Sequence, residues 1–241
     1  MKKMPTIIAG PCSVESEEQI IEIAIAVKQS GATALRGGAF KPRTSPYDWQ
    51  GLGKLGLQYL LQAKRETGLP VATEILSINH LHWYQDIDIL QVGARSMQNF
   101  ELLKELGKTQ KTVLLKRGFG NTINEWLSSA EYLKSMGNNN IVLCERGIRT
   151  FENSTRFTLD ISAIPIAQKK GYKVYADPSH ACGQADLVPP LALSSIAAGA
   201  DGLLIECHTT PSLSLVDKDQ AIDIYQLSTL IQQIAKINSA L

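Results

Sequence analysis

The chain has almost no excess of charge: 24 Lys and Arg stand against 23 Asp and Glu over 241 residues, a net charge of +1. That removes the main reason to expect nucleic acid or an anionic membrane surface as a partner. No stretch approaches the roughly 20 uninterrupted apolar residues of a membrane span. Met1-Lys2-Lys3-Met4-Pro5, ahead of the first apolar run, is too short for a secretory signal. The four cysteines show no paired spacing, which reads as reduced thiols in a cytoplasmic protein. No Gly-rich dinucleotide fingerprint follows the first apolar run, which argues against an open doubly wound sheet. With no linker and no low-complexity stretch, residues 1–241 read as one domain.

What is present is a repeat of short apolar runs, at residues 6–12, 32–38, 70–75, 87–95, 112–118, 141–147, 173–180 and 202–208. Helices are predicted near 16–30, 51–67, 77–86, 97–107, 122–136, 157–170, 186–199 and 217–238. Ser16-Glu17-Glu18-Gln19 and Thr122-Ile123-Asn124-Glu125 have the capping-box pattern, each followed by apolar residues at helical spacing. Ser77, Asp186 and Asp217 are further N-cap candidates, Asp217 with Gln220 completing a box. Gly31, Gly68, Gly107, Gly137 and Gly171 mark helix ends. A strand alternating with a helix eight times, with a period of roughly 30 residues, predicts a single (β/α)8 TIM barrel.

Residues able to do chemistry gather where the runs finish: Cys12, Arg36, Arg95, Lys116, Arg146, His180 and Glu206. In a barrel those ends share one mouth, where barrel enzymes keep their active sites. The first and last strands of a closed barrel are neighbours, so Cys12, His180, Glu206 and Asp217 can meet. A thiolate, an imidazole and two carboxylates suit Mn²⁺, Fe²⁺, Co²⁺ or Zn²⁺, and poorly suit Ca²⁺. The plainer alternatives are a Cys12 that merely packs and an Asp217 that merely caps. A second set is cationic: Arg36, Lys41, Arg43, Arg95, Lys116, Arg117 and Arg146. Planar guanidinium forks match phosphate and carboxylate, and the adjoining glycines permit close approach of a ligand. Substrates with several negative charges are therefore expected, unless these are ordinary solvated surface charges. Lys41-Pro42-Arg43-Thr44-Ser45-Pro46-Tyr47 offers a stiffened base-and-hydroxyl loop, a phosphate cradle or an ordinary turn.

These segments carry a resemblance. Ala9-Gly10-Pro11-Cys12-Ser13, Arg36-Gly37-Gly38-Ala39-Phe40-Lys41-Pro42-Arg43-Thr44-Ser45, Gly93-Ala94-Arg95 and Leu115-Lys116-Arg117-Gly118 resemble motifs of the 3-deoxy-D-arabino-heptulosonate 7-phosphate (DAHP) synthases. Cys144-Glu145-Arg146-Gly147, Asp177-Pro178-Ser179-His180 and Glu206-Cys207-His208 extend the set, and the chain is most similar to the compact type I beta branch. The resemblance implies a (β/α)8 barrel that condenses phosphoenolpyruvate with erythrose 4-phosphate at the head of aromatic amino acid synthesis. It implies metal ligation by Cys12, His180, Glu206 and Asp217, with Mn²⁺ preferred and no organic cofactor. Arg36 and Lys41 would face the phosphoenolpyruvate carboxylate, and Arg95, Lys116 and Arg146 its phosphate. Arg43 and Thr44 would cradle the phosphate of erythrose 4-phosphate, and Lys41 would also protonate the developing alkoxide.

The resemblance further implies a homotetramer or homodimer. Few residues flank the predicted barrel, so a catalytic core is expected without an appended regulatory or chorismate mutase domain and without strong built-in feedback. Cys182-Gly183-Gln184-Ala185-Asp186 departs from the basic residues many relatives carry there. Cys182, two residues beyond His180, reads first as a bystander thiol and otherwise as one that pairs with Cys12 in metal-free protein, which a thiol titration before and after chelation and air exposure would decide. The alternatives weighed are a 3-deoxy-D-manno-octulosonate 8-phosphate synthase using arabinose 5-phosphate, a non-catalytic anion-binding paralogue, and an unrelated metal-dependent aldolase. Lys41-Pro42-Arg43-Thr44 favours the four-carbon sugar, since the sister group usually has Lys-Ala-Asn-Arg there.

Overall fold

Alternation of side chains along each strand decides which residues reach the centre of this molecule. The computed structural model describes residues 3–240. Its strands are β1 (Thr6–Gly10), β2 (Ala34–Arg36), β3 (Val71–Glu74), β4 (Ile89–Val92), β5 (Thr112–Lys116), β6 (Ile141–Glu145), β7 (Lys173–Ala176) and β8 (Gly202–Glu206). They close in sequence order into a parallel barrel, as the sequence predicted. The seam is well made: β1 pairs with β8 from Thr6 opposite Gly202 to Gly10 opposite Glu206.

Ile8, Ala34, Ala72, Leu114, Val142, Cys144, Tyr175 and Leu204 fill the barrel interior. Their strand neighbours, among them Ile7, Leu35, Val113 and Leu203, pack outward in the continuous layer beneath the helices. Two residues beyond an inward position is again inward. That step carries Arg36, Glu74, Lys116, Arg146, Asp177 and Glu206 to the C-terminal mouth.

The surrounding helices are α1 (Glu17–Gln29), α2 (Lys54–Thr67), α3 (Phe100–Gly107), α4 (Ile123–Ser135), α5 (Ala163–Gln168), α6 (Pro178–Cys182), α7 (Val188–Ala197) and α8 (Ile224–Ala240). Ile20, Ile23, Ala24 and Val27 give α1 one buried face. Thr122 and Glu125 form the complete capping box of α4. Ser16 caps α1, but the Gln19 side chain accepts from the Glu15 amide, so that box is one-sided.

Several boundaries differ from the sequence reading. The segment predicted as a helix at 77–86 is a 3-10 helix over Ile78–Trp83, with Ser77 accepting from the Asn79 amide. The helix expected at 157–170 shrinks to α5, and residues 149–162 are instead a loop over the mouth. Asp186 caps nothing: α7 opens on Pro189 and Pro190, which lack two of the amide hydrogens a cap would satisfy. Asp217 does not start the last helix. The box lies at Asp223 and Gln226, whose side chains each accept from the other's amide at 2.7 and 2.9 Å, leaving Asp217 free for the mouth. Among the described residues, no helix is long and apolar enough to cross a membrane.

Alternation also overturns one anion-binding expectation. Lys116 points inward, so Arg117 points outward, where its Nη1 donates to Glu145 Oε2 at 2.9 Å and Asp160 Oδ2 at 2.8 Å. Glu145 is fully buried, and removing its partner leaves an uncompensated interior charge. Arg117→Met is therefore expected to destabilise the protein by about 3–5 kcal/mol at neutral pH, read from the denaturant midpoint. Burial already raises the Glu145 carboxyl above its ordinary value while Arg117 opposes it. Without Arg117 the folded variant takes up this proton before the unfolded chain does. The deficit is thus full above the raised pKa and shrinks as pH falls through it.

Candidate active site at the barrel mouth

Two electrically opposite walls face each other across one cavity. Cys12, just beyond β1, Glu206, the last residue of β8, and His180 on α6 build the first, with Asp217 from the loop after β8. One donor atom from each of the four lies within 4.8 Å of the others. The Cys12 thiol donates to Asp217 Oδ2 at 2.9 Å, and Lys41 Nζ donates to Cys12 Sγ at 2.7 Å and to the Cys12 carbonyl at 3.1 Å. A Cβ on Gly38 would sit 2.5 Å from that carbonyl and 2.9 Å from Lys41 Cδ, so only glycine lets the lysine fold back. Cys182 is a separate free thiol that donates to the Gln184 carbonyl at 3.1 Å.

His180 is flanked on both sides, with Nδ1 2.8 Å from Asp177 Oδ2, though not aligned for a hydrogen bond, and Nε2 3.2 Å from Glu206 Oε1. Burial lowers its pKa to about 4, with Asp177 opposing, so the ring is neutral at pH 7. A proton on Nδ1, toward Asp177, leaves the Nε2 lone pair facing the carboxylates. Burial works to raise Asp217, but His180, Cys12 and Lys41 outweigh it and hold the carboxyl at about 2. Glu206, likewise opposed by burial, is lowered by His180 and Arg36. Its Oε1 has cationic neighbours yet no donor aligned on it. Lone pairs crowded this closely, with too few protons to share, fit a divalent transition ion. Burial also lifts the Cys12 thiol well above its ordinary value, so ligation by this sulfur would release a proton.

The opposite wall is cationic. Lys116 Nζ donates to Asp177 Oδ2 at 2.6 Å, and Arg36 Nη2 lies 3.0 Å from Glu206 Oε1. The Arg36 and Arg146 Nη1 atoms are buried without a hydrogen-bond partner. Arg146 lies over Phe157 and Phe119, 4.2 and 4.9 Å from the ring centroids, and Arg95 and Arg149 lie 5.4 and 5.6 Å from Phe119. Aromatic faces thus collect guanidiniums without neutralising them. Burial lowers Arg146 to about 10, and it stays charged at neutral pH. Arg43 and Thr44 line the outer rim, on a loop tied down where Trp49 Nε1 donates to Ser13 Oγ at 2.9 Å.

The predicted metal and substrate residues line this cavity except Glu206, which is buried behind its wall beside the other three donors. Arg117 alone of the cationic set turns away. The sequence reading gave no role to Glu74, Gln91, Asp177 or Arg156, all at the same mouth. Counting by two from Ala72, Ile89 and Tyr175 would have found the first three. Glu74 is the carboxylate on the cationic wall, raised above its ordinary value by burial, and can take a proton there.

The model of the DAHP synthetase I family matches residues 2–241. The phospho-2-dehydro-3-deoxyheptonate aldolase of Thermotoga maritima is 51% identical over 98% of this chain and 70% of that protein. Its crystal structure superimposes with a TM-score of 0.94 at 50% identity, covering 98% of this chain and 69% of that one. A 2-dehydro-3-deoxyphosphooctonate aldolase of Syntrophobacter fumaroxidans is 28% identical over 96% of this chain and 86% of that protein.

The orphaned guanidinium donors make anion binding measurable apart from any reaction. Arg146→Lys keeps the charge but loses the planar donor fork. It is expected to weaken inorganic phosphate binding by about 1.5–3 kcal/mol, roughly 10- to 150-fold, in a calorimetric titration.

Proposed function

The chain belongs to the DAHP synthetase I family, and on that footing we propose that it condenses phosphoenolpyruvate with D-erythrose 4-phosphate and water. The products are 3-deoxy-D-arabino-heptulosonate 7-phosphate and inorganic phosphate. The observation that carries this reading is the pairing in one cavity of a divalent-cation donor set with partnerless buried guanidiniums. A reaction that joins two phosphorylated substrates at an aldehyde has a use for both.

Cys12, His180, Glu206 and Asp217 would hold the ion, Mn²⁺ ahead of Fe²⁺, Co²⁺ or Zn²⁺, which when bound supplies Lewis-acid polarisation of the aldehyde. Arg95, Lys116 and Arg146 hold the phosphate of phosphoenolpyruvate, and Arg36 and Lys41 its carboxylate. Arg43 and Thr44 take the sugar phosphate at the rim. These clamps offset repulsion between the two anions and align C3 of phosphoenolpyruvate on the aldehyde carbon. Lys41 sits at the junction of the two walls. Burial works against its charge, but Cys12 and Glu206 outweigh burial and raise its pKa, so it arrives protonated. Its Nζ delivers that proton to the aldehyde oxygen as the new C–C bond forms. Water adds at C2, and phosphate leaves by C–O cleavage into the guanidinium clamp. A single catalytic barrel, cytoplasmic and assembled as a homotetramer or homodimer, belongs to the same reading.

Phosphoenolpyruvate consumption is expected with erythrose 4-phosphate and Mn²⁺, to vanish on chelation and to return with metal. Faster turnover with arabinose 5-phosphate would move the chain to the sister reaction. Arg43→Ala should raise KM for erythrose 4-phosphate roughly tenfold or more while leaving KM for phosphoenolpyruvate within about twofold.

A further inference from the structure

Arg156, from the loop between β6 and α5, lies directly behind the carboxylate half of the donor quartet. Its Nη1 donates to Gln220 Oε1 at 3.0 Å and lies 3.3 Å from Asp217 Oδ1. Gln220, only 3% exposed, donates its Nε2 to Glu206 Oε2. One guanidinium nitrogen therefore reaches both carboxylates, Asp217 directly and Glu206 through a buried amide. The oxygens so engaged are Asp217 Oδ1 and Glu206 Oε2. Those left facing the thiol and the imidazole are Asp217 Oδ2, 2.9 Å from Cys12 Sγ, and Glu206 Oε1, 3.2 Å from His180 Nε2.

The surroundings are built to hold this arrangement. The Arg156 amide donates to the Cys182 carbonyl at 3.0 Å and the Phe157 amide to the Ala181 carbonyl at 2.7 Å, pinning the loop to the helix that carries His180. Gly183 has φ +73°, and a Cβ there would lie 2.8 Å from Arg156 Cβ. Asp217 is the one non-glycine with positive φ among the described residues, at 56°. Such a left-handed backbone in a non-glycine residue persists where the surroundings over-determine it. Its carbonyl accepts from the Gln220 amide at 3.2 Å, closing the same local ring of contacts. A half-exposed Arg–Asp pair alone would carry little weight. A guanidinium that also fixes a buried amide holding a second ligand is a different device.

We propose that Arg156, acting through Gln220, is a positioning residue for the divalent-ion site. It fixes the outer oxygens of Asp217 and Glu206, so that one oxygen of each is presented to the ion. This rests on the metal-dependent reading above, and ion affinity tests it without turnover. Zn²⁺ and Mn²⁺ affinities are measured by competition with a chromophoric chelator, and the Co²⁺ form is examined by its thiolate charge-transfer and d–d absorption. Arg156→Met is expected to bind these ions 10- to 100-fold more weakly. Its d–d bands should move while the thiolate band persists. Arg156→Lys, which retains charge and fold but not the planar fork, should recover part of the affinity. Wild-type affinity and an unshifted Co²⁺ spectrum in both variants overturn the proposal alone. Failure of the wild-type chain to take up any of the three ions overturns the metal reading, and this inference with it.

Discussion

A run of buried charged and polar groups crosses the barrel mouth from β5 to β2. Lys116 meets Asp177 at 2.6 Å, Asp177 meets His180 at 2.8 Å, His180 meets Glu206 at 3.2 Å and Glu206 meets Arg36 at 3.0 Å. The charged members would each be costly in the interior alone; Lys116 pairs with Asp177 and Arg36 with Glu206, and the neutral His180 ring lies between the two carboxylates. Burial works to raise the Asp177 carboxyl, yet His180 and Lys116 outweigh it and hold the group well below the usual range. The arrangement has little freedom, because a shift in one group exposes the next to an uncompensated charge. Both walls of the cavity hang from this run.

Adjacent basic residues meet opposite fates at this rim. Arg117 is surrounded by acceptors and serves the fold. Arg146, inward on the next strand, is offered aromatic faces and keeps a buried donor without a partner. A carboxylate beside Arg146 would satisfy it and blunt its pull on an incoming phosphate. Phenyl rings attract the guanidinium while leaving its in-plane N–H groups for a ligand.

The barrel was legible because eight apolar runs with helical stretches between them leave few architectures open. The donor quartet was legible because Cys12, His180 and Glu206 close their runs. Arg117 was misplaced because composition at a strand end does not show which face a residue takes. Asp217 passes for a cap as well as a ligand because Asp-x-x-Gln occurs twice within ten residues, at 217–220 and 223–226, and only the second pair opens α8. Arg156 went unread because no periodicity governs the loop that carries it. Its position depends on contacts with Gln220 and the backbone around Cys182, distant in sequence.

The quartet also straddles the seam of the barrel. Cys12 follows the first strand, Glu206 ends the last, and 205 positions separate Cys12 from Asp217. No short stretch of the chain contains the donor set, which is complete only where β8 pairs with β1. Only there do the four atoms converge. An ion held there acts as a clasp across that closure. Such an ion would bind the closed ring and not the parted one, and so would oppose opening along the line where the first and last strands meet.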